Sequence, residues 1–260
     1  MWSGIRAWLE KKGQGKSGGV ERRRRVQISS EEAPLVYAIG DIHGSFDEFL
    51  IAENRIRNDL QFFGRKALVI LLGDLVDRGP HSAQLLDYLV SSRPKEFHRI
   101  TICGNHDSAF LDFIGNPRAN MAWLDYGGRE TLRSYGIDTR YLVGSGGLDA
   151  LVAAIESTVP SEHINFLKRL PISVQVGDVL FVHAGIAPGV PLPRQRDEDL
   201  MWIRSPFLEL GPALPVTVVH GHTPVADPYF GNGRIGIDTG AYATGRLTVL
   251  RFWQGKPEVI

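Results

Sequence analysis

From Leu35 onward, short apolar runs alternate with segments in which apolar residues recur every three or four positions. Runs of five or six residues rich in branched side chains suit buried strands, which predicts strands at Leu35 to Ile39, Ala67 to Leu72 and Arg99 to Cys103. Helical spacing at Phe46 to Arg57, Ser82 to Ser92 and Ser108 to Ile114 follows each of them, so the chain opens as β-α-β-α-β. Between residues 116 and 170 the helical period continues with few strand signals (Met121, Leu124 and Tyr126; Leu148, Leu151, Val152 and Ile155; Ile164, Leu167 and Leu170), which predicts a helical insertion. Strands return at Ile172 to Val176, Val179 to Val182, Val216 to Val219, Arg234 to Ile237 and Leu247 to Trp253, with hairpin joins at Gly177-Asp178 and Gly231-Asn232-Gly233.

Ahead of these elements, residues 10 to 33 are rich in Lys, Arg, Gly and Ser and read as a linker. The expected organisation is a flexible basic arm over 1–33 and one catalytic domain over 34–260, with the insertion at 116–170. A chain of 260 residues that is 43% hydrophobic can bury one full core. Its zero formal charge hides an asymmetry: residues 1 to 25 carry eight Lys or Arg against Glu10 and Glu21, so the arm is +6 and the remainder −6. No global nucleic-acid footprint follows for the body. Trp2, Ile5, Trp8 and Leu9 share a helical face and Arg22, Arg23, Arg24 and Arg25 follow, a pattern that could touch an anionic membrane or partner. A leader that packs on its own domain or stays solvated is the preferred reading. Gly15-Lys16-Ser17 is rejected as a phosphate loop, because Glu10 stands where the earlier glycine is needed. With Cys103 alone there is no internal disulfide, and neither a membrane span nor a secretory leader is visible, so a cytoplasmic protein is expected.

Five polar segments follow predicted strands: GDIHG at 40–44, GDLVDRG at 73–79, GNHD at 104–107, HAG at 183–185 and GHT at 221–223. In an extended segment residues two apart point the same way, so Asp41 and His43 could address one ion. Asp74 would stand beside them on a neighbouring strand and could bridge two ions. Asn105 offers a neutral oxygen, and His183 and His222 offer imidazoles, to the second. Mixed O and N donors suit manganese, iron or zinc. His106, adjacent to Asn105, would be the candidate to protonate a leaving group, with Asp77 to orient it, and the planar guanidinium forks of Arg78 and Arg204 would match phosphate oxygens. Any one of these motifs could be a turn or a buried polar residue, but five in order point to a phosphoesterase centre. His220, two residues before His222, is read as an inner-strand or supporting residue, and Cys103 as a small buried apolar one.

On these segments the chain resembles the calcineurin-type metallophosphoesterases, and within them the bacterial phosphoprotein phosphatases that act on Ser/Thr, over roughly Leu35 to Leu250. The resemblance implies an α/β fold, a four-layer αββα sandwich of two mixed β-sheets flanked by helices. It also implies two divalent metal ions, manganese first with iron and zinc as alternatives. Asp41 and His43 would hold the first ion, Asp74 would bridge, and Asn105, His183 and His222 would hold the second. A bridging hydroxide would then attack a phosphoserine or phosphothreonine of a phosphoprotein or phosphopeptide. Where many members of the superfamily have GHxH, this chain has Gly221-His222-Thr223-Pro224, the protein-phosphatase pattern, which leaves the first ion fewer protein ligands. Asp77 points the same way, since symmetric diadenosine tetraphosphate hydrolases tend to lack it. The alternative activity is hydrolysis of dinucleoside polyphosphates, and a third reading is a non-catalytic scaffold. Tyr126, Arg129 and Tyr135 of the insertion are candidates for substrate contact.

Overall fold

The computed structural model describes residues 22–260. Trp2, Ile5, Trp8, Leu9 and Gly15-Lys16-Ser17 lie outside the described residues. Two mixed sheets face each other. One contains β2 (Leu35–Ile39), β3 (Ala67–Leu71) and β4 (Phe97–Thr101) in parallel, extended by antiparallel β10 (Val249–Trp253) and β11 (Lys256–Val259), in the order β11-β10-β2-β3-β4. The other has the order β1-β5-β6-β7-β9-β8, with β1 (Arg25–Ile28), β5 (Ser173–Val176), β6 (Val179–Val182), β7 (Thr217–His220), β8 (Tyr229–Gly231) and β9 (Arg234–Gly236). The expected hairpins are there: β5 with β6 and β8 with β9 pair antiparallel.

Alternation along the strands builds the layers. Val36 and Ala38 of β2 and Leu68 and Ile70 of β3 meet Val174, Val176, Phe181 and Val219 of the opposite sheet in one buried cluster. Their neighbours Leu35, Tyr37, Ile39, Ala67, Val69 and Leu71 point the other way. They pack with Phe49, Ala52 and Ile56 of α1 (Phe46–Leu60) and Leu85, Leu86 and Leu89 of α2 (Ser82–Ser91). The strands are apolar on both faces because both faces are covered, which is why they read as continuous runs rather than as alternation.

Residues 116–170 hold a 3-10 turn at Met121–Tyr126 and then α4 (Gly128–Ser134), α5 (Thr139–Thr158, broken at Gly147) and α6 (Ser161–Arg169). Three expectations need correction. The strand expected at Arg99 to Cys103 is Phe97–Thr101, and the helix expected from Ser108 begins at Asn105 as α3 (Asn105–Gly115). Asp107 explains the early start. Its carboxylate accepts the Gly104 N–H at 2.9 Å and the Leu75 N–H at 2.8 Å, capping the helix and tying it to the end of β3. The folded body also starts before Pro34, since β1 pairs in parallel with β5 from Arg25 to Ile28. The arginine run expected in a flexible arm is engaged at this edge. Arg23 donates to the carbonyls of Leu167 and Leu170, and Arg25 pairs with Asp197 at 2.6 Å. Strand β11 carries no apolar signature and is exposed at every position. Among the described residues no helix is long and apolar enough to cross a membrane.

Candidate metal centre

The polar segments gather at the C-terminal ends of β2, β3, β4, β6 and β7, where an open parallel arrangement leaves room for a ligand. Asp41 and His43 lie beyond the end of β2, in a loop rather than in extended strand, so alternation along a strand is not what brings them together. Backbone torsion is. His43, Asp74, Asp77, Arg78 and His222 all have φ between 47° and 74°, the left-handed region that side chains other than glycine's avoid. Five such residues in one site store strain that the surrounding packing must hold.

Two donor groups share one carboxylate. Asp74 Oδ2 lies 3.4 Å from His43 Nε2 and 3.4 Å from His183 Nε2, between the two imidazoles. Ligand atoms of His43, Asp74 and His106 lie within 4.8 Å of one another, as do those of Asp74, His183 and His222. His43 Nδ1–H donates to the Val76 carbonyl at 2.8 Å and His183 Nδ1–H to the Leu72 carbonyl at 2.8 Å, so both present Nε2 to the centre. His183 Nε2 meets Asn105 Oδ1 at 2.7 Å, and the same oxygen stands 2.9 Å from His222 Nδ1. Asp41 Oδ2 accepts the His222 backbone N–H at 3.0 Å, which joins the first and last polar segments.

The donors fit divalent ions. Asp41 Oδ1 and His222 Nε2 are buried without a hydrogen-bond partner, and groups of that kind are costly unless something charged meets them. Burial, and next Asp238, push the Asp41 carboxyl well above the carboxylate range. At Asp74 burial acts in the same direction, but His183 and His106 outweigh it and hold the group well below that range. Burial favours neutral His183, yet Asp74 and Asp41 carry it up to about 10, so without a cation the imidazole supplies the positive charge this pocket needs. Burial holds His43 at about 3 and His222 at about 3, neutral and ready to ligate.

Beside the ions' place, His106 Nδ1–H donates to Asp77 Oδ2 at 2.6 Å. Burial opposes the charged imidazole, but Asp74 and Asp77 raise its pKa. The guanidinium of Arg78 lies 3.1 Å from His43 Nε2 and 3.1 Å from His106 Nε2, with the Tyr242 ring 4.9 Å away. A cavity of about 450 Å³ opens over Asp74, Asn105, His106 and His222, flanked by Arg78 and Arg204. Trp202 and Tyr126, two of the most exposed large apolar side chains, line its mouth.

Every candidate ligand named from the sequence therefore reaches one centre, as do His106, Asp77, Arg78 and Arg204. Of the insertion's candidates only Tyr126 reaches the cavity. Arg129 pairs with Asp125 at 2.9 Å, and the Tyr135 hydroxyl donates to His163 at 2.8 Å in the core. His220 points away, 3.2 Å from Arg234 and packed on Phe207. Cys103 is buried and its thiol is pushed up by that burial, as suits an inert residue. Trp123, Thr131, Tyr242 and Asp238 were not visible beforehand. They reach the site through tertiary contacts.

Fold and site together define a metallophosphoesterase. A sequence model described as calcineurin-like phosphoesterase matches residues 34–254, and the chain belongs to that family. It is 25% identical over 238 residues to an asymmetrical bis(5'-nucleosyl)-tetraphosphatase of Anoxybacillus flavithermus, covering 82% of this chain and 89% of the relative. Among solved structures it resembles a cold-active protein-tyrosine phosphatase of a psychrophilic Shewanella (TM-score 0.58, 15% identity, 95% of this chain and 87% of the other). It also resembles a protein serine/threonine phosphatase of Saccharomyces cerevisiae (TM-score 0.55, 17% identity, 90% and 78%). At these identities the structural matches speak for the fold alone.

Proposed function

We propose that this metallophosphoesterase is a phosphomonoesterase acting on phosphoserine and phosphothreonine in proteins. In this reading Asp41, His43 and Asp74 would hold one divalent ion, and Asp74, Asn105, His183 and His222 a second, with manganese preferred for the mixed O and N donor set. Ions bound there acidify water to a nucleophile at neutral pH and neutralise phosphate charge. Arg78 and Arg204, which both line the cavity, clamp the phosphate oxygens. His106 passes its proton from Nε2 to the departing serine or threonine oxygen, while Asp77 holds Nδ1.

The His106–Asp77 pair is the observation that carries the reading. An alkoxide is a poor leaving group and needs a proton as it departs, whereas a phosphoanhydride releases a phosphate that leaves without one. A buried imidazole whose pKa is raised by two carboxylates is suited to the first task.

A second reading, hydrolysis of dinucleoside polyphosphates, is favoured by the name of the Anoxybacillus relative. Asp77 does not weigh against it, because the sequence contrast drawn there concerned symmetric hydrolases and this relative is asymmetrical. A panel of a phosphoserine peptide, p-nitrophenyl phosphate and diadenosine tetraphosphate with added manganese separates the two. The first reading expects the highest kcat/KM on the peptide; turnover confined to the dinucleotide would replace it with the second.

A further inference from the structure

After β9 the chain forms a loop over 237–245, with one helical turn at Ala241–Thr244, that enters the centre from the side of His43. The passage is tight: a side chain on Gly40 would collide with the Ile237 carbonyl, and the Asp238 Cα lies 3.6 Å from that point. Asp238 thereby stands against the residue that precedes Asp41. The loop is braced at several points. Thr239 Oγ1 is 2.9 Å from Thr248 Oγ1, Thr244 Oγ1 donates to the Thr239 carbonyl at 2.8 Å, and Gly240 takes φ 64°. From the same loop Tyr242 sets its ring edge-on to His43 at 5.4 Å.

Asp238 is 2% exposed. Its Oδ1 accepts the Gly240 N–H at 2.9 Å, and no Lys, Arg or His forms an ion pair with it among the described residues. Three carboxylates are thus buried around the first-ion half of the centre, Asp41, Asp74 and Asp238, where a structural role would call for an apolar or neutral residue. This half is also the poorer in donors, since Thr223 and Pro224 follow His222 and offer no imidazole. Asp238, like Asp41, belongs to neither of the two close donor groups.

We infer that Asp238 is a further carboxylate of the metal centre, one that would support the first ion from beside Asp41 and offset that ion's shortage of protein ligands. The inference rests on the two-ion reading above. It is tested with Asp238→Asn, which keeps an acceptor for Gly240, and with His222→Ala as a comparison on the second ion. Metal content after dialysis against manganese, manganese titration by calorimetry, and melting curves with and without manganese are the readouts. Wild type should hold two ions, and Asp238→Asn should hold one tightly and the other with affinity reduced about 10- to 100-fold, the range for groups that support a ligand shell. The manganese-induced rise in Tm should shrink in Asp238→Asn while the metal-free variant melts no lower than metal-free wild type. Two ions bound with unchanged affinity, or a metal-free variant that melts lower by the same margin as the loaded one, would overturn the role of Asp238 alone. Wild type that takes up no manganese would overturn the centre together with it.

Discussion

The indole N–H of Trp123 donates to Asp77 Oδ2 at 2.8 Å, the same oxygen that accepts His106 Nδ1–H at 2.6 Å. The other oxygen, Oδ1, accepts the Thr131 hydroxyl at 2.7 Å. Both donors come from the helical insertion, which therefore reaches past the rim of the cavity and holds the carboxylate behind the proposed acid. The indole is itself fixed, packed against Phe110 at 5.2 Å and Phe113 at 4.6 Å, with Gly128 leaving no side chain to collide with it.

Trp123→Phe keeps most of that packing and removes one hydrogen bond to a buried charge. A loss of about 1.5–3 kcal/mol in stability is expected from such a bond, measured as a lower denaturation midpoint with unchanged m. Turnover of a phosphoserine peptide should fall several-fold with KM little altered, because the change acts on the acid and not on phosphate binding.

Asp77→Asn removes the charge that favours imidazolium at His106. The His106 pKa is raised, against burial, by Asp74 and Asp77, so the proton is held below that pKa and lost as pH rises through it. The alkaline limb of the kcat profile should move to lower pH in the variant. On the peptide the loss should be about 10²-fold or more, in the range of general acid catalysis. On p-nitrophenyl phosphate, whose leaving group needs little protonation, it should be much smaller, and equal losses on both substrates would remove His106 from the acid role.

Much of this centre was legible because metal ligation constrains sequence locally. Asp41, His43, Asp74, Asn105, His183 and His222 each follow an apolar run and sit beside a glycine or a turn, so residue type and position carried the information. Geometry was less legible. Asp41 and His43 converge through a left-handed turn, and Asn105 starts a helix instead of ending a strand. Trp123 and Thr131 lie 46 and 54 residues from the carboxylate they hold. Nothing in their neighbourhoods marks that contact, which is a property of how the insertion folds back. The arginine run misled for a related reason. Charge suggested solvent, but carbonyls at the end of α6 and Asp197 lay within reach of Arg23 and Arg25, and pairing with β5 drew the segment into the sheet.

Metal uptake should release protons. In the metal-free protein Asp74 and Asp41 carry His183 up to about 10 against burial, so at neutral pH its Nε2 is protonated and an ion must displace that proton. Manganese affinity should therefore rise with pH from about 6.5 toward 10, by up to about tenfold per pH unit from this one group. Titrations in buffers of different ionisation enthalpy would count the protons. The stability linkage has the opposite sign. A raised folded-state pKa stabilises the metal-free fold below the ordinary histidine value, and that contribution is lost as pH rises through about 10. A manganese affinity independent of pH across this window would contradict the assignment of His183 as a ligand.

Two glycines should prove as necessary as the ligands, for lack of space and not for backbone freedom. A methyl group on Gly221 would coincide with Asp41 Oδ1, the buried oxygen without a partner, and one on Gly104 would coincide with Asp74 Oδ1. Neither glycine has the positive φ that alone would demand it. Gly221→Ala must push the Asp41 carboxylate out of place, and Gly104→Ala must push Asp74, which also accepts the His106 N–H at 2.9 Å. In the proposed reading Asp74 serves both ions and Asp41 one, so the two substitutions should differ in metal count. Gly221→Ala should retain one manganese per chain and Gly104→Ala close to none, by elemental analysis of protein that still shows a cooperative melt. Equal retention of two ions in both variants would mean that these oxygens do not face the ions.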